Sequence, residues 1–171
     1  YLYRISRIMA SHIEDKSFLV LEGQRNCGKG LLSDLLAKSF GEYVKTTNIE
    51  NFIDTNKSSD PAKALSWLVR YEYVRLAISQ EAPTENEGLK KTKIKGSMIK
   101  KFCSGGDEIE ARINNKDEKT FRLQSSLMIC CNDLPEITPT DTKEFLEHFD
   151  ILSKFVPEDF PEKKKLPGVK Y

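Results

Sequence analysis

The chain has 171 residues, 39% of them apolar and 31% charged, with a net charge of +1. That length holds one well-packed domain and hardly two. No apolar run approaches the roughly 20 residues a membrane-spanning helix needs, and the near-zero balance excludes a global basic field. Charge is unevenly placed, however. Residues 89–122 hold ten Lys and Arg against five acids, and residues 136–162 hold eight acids against two Lys. This asymmetry suggests one surface for a polyanion and another for a basic neighbour. The first residue is Tyr1 rather than Met, which points to a piece of something longer.

In chain order, Leu2, Ile5, Ile8, Met9 and Ile13 recur at helical spacing and predict a leading helix within residues 1–14. The run Phe18-Leu19-Val20-Leu21 predicts a buried strand. It leads into Gly23-Gln24-Arg25-Asn26-Cys27-Gly28-Lys29, a Gly-x-x-x-x-Gly-Lys pattern. Leu31, Leu32, Leu35, Leu36 and Phe40 then follow at helical spacing, with Gly41 as a stop. A strand turning through such a loop into a helix aims several backbone N–H groups at one point. Those donors, over residues 23–31, and the helix N-terminus hold a phosphate chain, and Lys29 adds a mobile positive charge. A glycine-rich turn with an exposed lysine is the competing reading, and the flanking strand and helix argue against it. Such loops ordinarily end in Ser or Thr, whose hydroxyl holds Mg²⁺; here that position is Gly30.

Tyr43–Thr47 predicts a second strand, and residues 46–60 read as a polar loop. Asp60-Pro61 is a helix start, for a helix presenting Ala64, Leu65, Leu68 and Val69. Tyr73–Ser79 predicts another buried strand, leading to Glu81. Alternating strands and helices imply an α/β fold with a mainly parallel sheet and ligand sites at the strand C-termini. Leu89–Cys103 predicts a basic helix with Ile94, Met98, Ile99 and Phe102 on one face, ended by Ser104-Gly105-Gly106-Asp107. Glu108–Ile113 and Thr120–Leu123 form a predicted hairpin around a charged turn. Leu127–Cys131 is a further apolar strand, ending at Asn132. Residues 145–155 predict a short helix and a last strand, and residues 157–171 an extended tail. The four cysteines include no Cys-x-x-Cys pair and are expected as reduced thiols of an intracellular protein. Adjacent Cys130 and Cys131 point to opposite faces of a strand, which predicts one of them in the core. His12 and His148 lie far from any metal-site spacing.

ATP hydrolysis requires a phosphate cradle, a metal, an acid that polarises water, and a polar group that orients it or senses the γ-phosphate. The cradle is residues 23–30. The sheet-end rule selects Glu81 as the acid and Asn132 as the polar group. The bland alternatives are a solvated turn acid before Pro83 and an Asn-Asp turn. Lys116 and Lys119, with the basic helix nearby, are candidates for contact with a polyanionic strand. A merely solvated charged face is the alternative.

Together these pieces resemble the ATPase core of superfamily 3 helicases, of the poxvirus-type primase-helicase group shared with phage and plasmid primases. The resemblance rests on Gly23–Gly30, on Arg75 with Glu81, on Ser104-Gly105-Gly106-Asp107-Glu108-Ile109-Glu110-Ala111-Arg112, on Phe121, and on Asn132-Asp133-Leu134-Pro135. It covers about residues 15–156. It implies an AAA+-like P-loop NTPase that binds ATP and Mg²⁺ and translocates on single-stranded DNA, with RNA left open. It further implies a homo-oligomeric ring, usually a hexamer, with a primase domain upstream and a place at a viral replication site or in the host cytoplasm. Residues 109–123 would be the pre-sensor hairpin, with Arg112, Lys116 and Lys119 contacting DNA. Lys29, Glu81 and Asn132 would be catalytic, and Glu81 would also serve the metal in place of a residue-30 hydroxyl. Relatives place an arginine within the segment matching Asp141–Phe155 that reaches a neighbour's ATP. This chain has none there; His148 or Lys154 would substitute weakly, or an Arg elsewhere in the chain would serve. Two other classes stay open: a nucleotide-binding scaffold with little hydrolysis, and a small P-loop kinase.

Overall fold

The computed structural model describes residues 1–53, 65–80, 93–112 and 118–151. Along the chain run α1 (Leu2–Met9), β1 (Phe18–Gly23), α2 (Lys29–Phe40), β2 (Val44–Thr46) and β3 (Leu76–Ser79). They are followed by β4 (Ile94–Lys95), α3 (Gly96–Phe102), β5 (Glu108–Arg112), β6 (Glu118–Arg122), β7 (Ser126–Cys131), β8 (Ile137–Thr138) and β9 (Leu146–Ile151). Short 3₁₀ turns fill in at Ile13–Asp15, Ile49–Phe52, Ser66–Tyr71 and Thr140–Phe145.

Five strands form one parallel sheet in the order β2-β3-β7-β1-β9. The central strands are apolar along their length because both faces of the sheet are covered. Leu19, Leu21, Leu76, Ile78, Met128 and Cys130 pack on one face with Ile5 and Ile8 of α1 and Leu36 of α2. Phe18, Val20, Ala77, Leu127, Ile129 and Cys131 pack on the other, with α3, the hairpin and the 3₁₀ turns. This is the expected α/β P-loop NTPase architecture with an antiparallel β5–β6 hairpin inserted between β3 and β7. The hairpin buries Ile109, Ala111 and Phe121 against the second layer.

That second layer is aromatic at its centre. The Phe102 ring stacks on Trp67 at 6.1 Å and meets Phe52 and Tyr71 edge-on at 5.6 and 5.5 Å. Gly105 and Gly106 adopt φ of +82° and +102°, a turn that only glycine enters without strain. A Cβ on Gly105 would lie 3.0 Å from the Ile13 carbonyl oxygen. The glycine pair thus lets the chain leave α3, pass close under residues 13–16 and enter β5.

Several expectations are corrected. The leading helix stops at Met9, and Ile13 lies in a 3₁₀ turn entered through Ser11 at φ 64°. Arg4 and Arg7 then clamp Asp15 at 2.9 and 2.7 Å, and Arg4 also pairs with Glu147 of β9. The Arg7 guanidinium holds the Asp15 carboxyl below its ordinary range. The basic helix predicted over Leu89–Cys103 is shorter. Within its described part, Ile94–Lys95 is a strand paired parallel to β8, and helix begins only at Gly96. The Ile94 N–H donates to Glu136 C=O at 2.8 Å, so a ladder bond takes precedence over helical spacing there. The strand predicted from Tyr73 begins at Leu76, because a tight turn at 71–74 leaves Tyr73 exposed. Cys130 and Cys131 do face opposite ways, yet both are buried, since neither face of the sheet meets water. The short helix expected from residue 145 onward instead ends there, as the 3₁₀ turn Thr140–Phe145, and β9 follows as expected. The helix start at Asp60-Pro61 and the tail 157–171 lie outside the described residues.

Candidate nucleotide-binding site

The loop between β1 and α2 is built from backbone outward. Gly23 ends β1 beside Ile151 of β9. The chain turns with Asn26 at φ 66° and Gly28 at φ 95°, the latter at the N-cap of α2. Glycine accepts that left-handed geometry without a Cβ penalty. Cys27 is buried, whereas Gln24, Arg25, Asn26, Gly30 and Leu31 are exposed. The Cys27 N–H donates to Gln24 C=O at 3.3 Å, which closes the turn. A Cβ on Gly23 would meet Cys27 Sγ at 2.7 Å and Ile151 Cβ at 3.0 Å, so the loop folds back onto its own strand.

The Lys29 ammonium lies within this loop. It donates to the carbonyls of Gly23 and Gln24, the latter at 3.0 Å, and lies 3.4 Å from Cys27 Sγ. It also donates to Asn132 Oδ1 at 3.2 Å. Asn132 reaches it because β7 runs parallel beside β1 with Cys131 level with Glu22, so the next residue of β7 stands beside Gly23. Lys29 and Asn132, 103 residues apart, are therefore in contact, as a site at the strand C-termini requires. β3 ends at Ser79, level with Ile129 of the same β7. Glu81 lies outside the described residues.

These residues suit a phosphate chain: an ammonium inside a ring of backbone, at a helix N-terminus, with an amide alongside. The metal position is different. Gly30 carries no hydroxyl, and a Cβ there would touch nothing within 4 Å. Ser33, the next hydroxyl on α2, is buried and donates to Lys29 C=O at 3.0 Å, so it does not replace one. Burial raises the Cys130 thiol and pushes Cys131 up to about 12, with the Glu22 carboxylate adding to the latter.

Of the residues expected to contact DNA, Lys119 is described and exposed, but its ammonium is paired with Glu72. That partner raises the Lys119 pKa. Arg112 closes β5 opposite Glu118, and Lys116 lies outside the described residues. The α2 surface also differs from a simple core stripe. Leu31 and Leu35 are 70% and 58% exposed, and the buried side of the helix is Ser33 and Leu36.

A second cluster was not legible from spacing. Glu22 and Asp150 are register partners on β1 and β9, and His148 is two residues before Asp150. The three side chains therefore share a face. His148 Nε2 lies 2.7 Å from Glu22 Oε2 and 3.0 Å from Asp150 Oδ1. The only signals in the sequence were an acid ending a buried strand and a His-x-Asp alternation 126 residues later.

The chain is 33% identical over 142 residues to "Putative helicase V13" of the Sputnik virophage, an alignment covering 82% of the chain and 18% of that protein. It is 30% identical over 162 residues to "Putative helicase L207/L206" of Acanthamoeba polyphaga mimivirus, covering 94% of the chain and 16% of that protein. The chain thus spans less than a fifth of the length of these relatives. Among solved structures it resembles the C-terminal region of NrS-1, with a TM-score of 0.56 at 16% identity, covering 80% of this chain and 29% of that one. It also resembles JCV helicase, with a TM-score of 0.56 at 11% identity, covering 86% and 40%. At those identities the likeness is one of fold. Residues 21–144, from the end of β1 to the turn before β9, match DUF5906, described as a family of unknown function, and the chain belongs to that family.

Proposed function

We propose that this chain is the ATPase core of a superfamily 3-type helicase, an ATP-driven motor on single-stranded DNA that works within a ring of like subunits. The observation that carries the reading is the Lys29 ammonium, enclosed by the Gly23–Gly28 backbone and hydrogen-bonded to Asn132 on the neighbouring strand. It is supported by the helicase names of the viral relatives and by the helicase fold of JCV helicase. In this reading the amides of residues 23–31 bind the phosphates, and Lys29 exchanges its carbonyl partners for phosphate oxygens. Asn132 orients the attacking water or senses the terminal phosphate, and Glu81 takes the water's proton. Mg²⁺, when bound, neutralises charge on the β- and γ-oxygens. On the protein side Glu81 would hold it, because residue 30 has no side-chain hydroxyl to offer.

A second reading, an assembly module that binds ATP and hydrolyses it slowly, is favoured by two observations. Gly30 lacks the hydroxyl. His148, one of the candidates to replace the missing arginine, is engaged by Glu22 and Asp150 of its own chain. ATP turnover with and without single-stranded DNA separates the two readings: the motor is stimulated by DNA, whereas the module assembles with ATP and shows no stimulation.

Two substitutions refine the test. Gly30→Ser adds a Cβ into open space and replaces a glycine in the first turn of α2, so it should fold about as stably as wild type. It is expected to raise magnesium-dependent turnover. Turnover unchanged across a magnesium titration would mean that residue 30 does not face the metal. The double variant Lys116→Ala, Lys119→Ala should weaken single-strand binding and flatten its salt dependence, by about 0.7 in log–log slope for each phosphate that is no longer neutralised. Nucleotide binding should survive. An unaltered salt slope would exclude the hairpin as the DNA-binding element.

A further inference from the structure

We propose that Glu22, His148 and Asp150 form a binding site for one divalent transition-metal cation of the zinc class, separate from the nucleotide's magnesium. The site lies where β9 pairs with β1, at the last residues before the phosphate loop.

The parallel register fixes its geometry. Glu22 stands opposite Asp150, and His148 stands opposite Val20, so all three side chains leave the same face of the strand pair. Both carboxylates converge on a single ring nitrogen, at 2.7 and 3.0 Å. One imidazole nitrogen has one proton and one in-plane direction, so it satisfies one oxygen well and the other poorly. A cation on the Nε2 lone pair accepts both oxygens at once. Four-coordinate bonds of the usual zinc lengths separate ligand atoms by about 3.3 Å; the two spacings to Nε2 are 2.7 and 3.0 Å and all three ligand atoms lie within 4.8 Å of one another, so small side-chain adjustments bring them to a common ion.

Charge points the same way. Like charges directly opposite on adjacent strands repel, and among the described residues the ion-pairing partner of both carboxylates is this one imidazole. Two carboxylates with a neutral imidazole balance a divalent ion. The donor set of one nitrogen and two oxygens favours zinc-like ions over magnesium and calcium, which prefer all-oxygen shells. Three protein ligands leave a further position for water. No other set of three His, Cys, Asp or Glu residues converges this way among the described residues. A bound cation would staple the edge strand to the strand that carries the loop.

The test uses zinc alone and cobalt alone, without nucleotide, on the chain and on His148→Gln and Asp150→Asn. Wild type should take up one cation per chain and melt at higher temperature once saturated. Cobalt should give the spectrum of a nitrogen–oxygen site, with no thiolate charge-transfer band. Each variant should weaken binding by at least about tenfold, the cost of even an outer-shell change at a metal site. Should His148→Gln fail to fold, Asp150→Asn carries the test, since its side chain is 59% exposed. Absent uptake, equal uptake by wild type and the folded variants, or a thiolate band tracing the cation to Cys27, Cys130 or Cys131 would each overturn the proposal. None of these outcomes depends on whether the chain binds ATP.

Discussion

Lys29→Ala is expected to abolish measurable ATP turnover while leaving the fold intact. The ammonium is folded back onto the loop, where it holds Gln24 C=O at 3.0 Å and Asn132 Oδ1 at 3.2 Å. Removing it deletes the charge that, in the proposed reading, meets the terminal phosphates, and the bridge that ties the loop to the end of β7. Loss of one well-placed donor to developing charge costs on the order of 10²–10³-fold in turnover. Lys29→Arg should rescue poorly, because a planar guanidinium cannot occupy a pocket shaped by carbonyls around a point charge. The melting temperature should hardly move, since Lys29 lies outside both core clusters. Steady-state turnover with a thermal melt checks this. Wild-type turnover in the alanine variant would remove Lys29 from the chemistry.

The largest expected loss of stability is at Phe102. Its ring is 1% exposed and is surrounded by Phe52, Trp67 and Tyr71 at 5.5–6.1 Å. Phe102→Ala removes a large buried surface and leaves a cavity that three neighbouring rings cannot close, at a cost of about 3–5 kcal/mol. Against a typical domain stability of about 5–15 kcal/mol, that brings the chain close to unfolding. Exposed Tyr73→Ala, only two residues from Tyr71, should change stability by less than about 0.5 kcal/mol. Denaturant melts of the two variants test whether the aromatic layer between sheet and hairpin anchors this face. A Phe102→Ala midpoint within error of wild type would show that it does not.

The sheet and the loop were legible because their signals are local. An apolar run, a Gly-x-x-x-x-Gly-Lys turn and a helical repeat lie within residues 18–40, and the structure keeps their order as β1, loop and α2. The position of Asn132 was legible for a less local reason: an amide ending an apolar strand lies at the sheet's C-terminal edge, and the β1–β7 register brings it to Lys29. What failed depended on partners distant in sequence. Ile94 looked helical until Ile137 offered it a parallel ladder. Leu31 and Leu35 kept helical spacing with Leu32 and Leu36, but only part of that apolar repeat faces the sheet. Cys130 and Cys131 required knowledge that both faces of the sheet are covered. The Glu22–His148–Asp150 group exists only through the pairing of β1 with β9, a register that no local spacing encodes.

Isothermal titration of the chain with ATP and magnesium measures the central claim most directly, because every proposed role requires a triphosphate at residues 23–31. Saturable heat at one nucleotide per chain, lost in Lys29→Ala, is the predicted result. A folded chain that gives no heat with adenosine or guanosine triphosphate would contradict it.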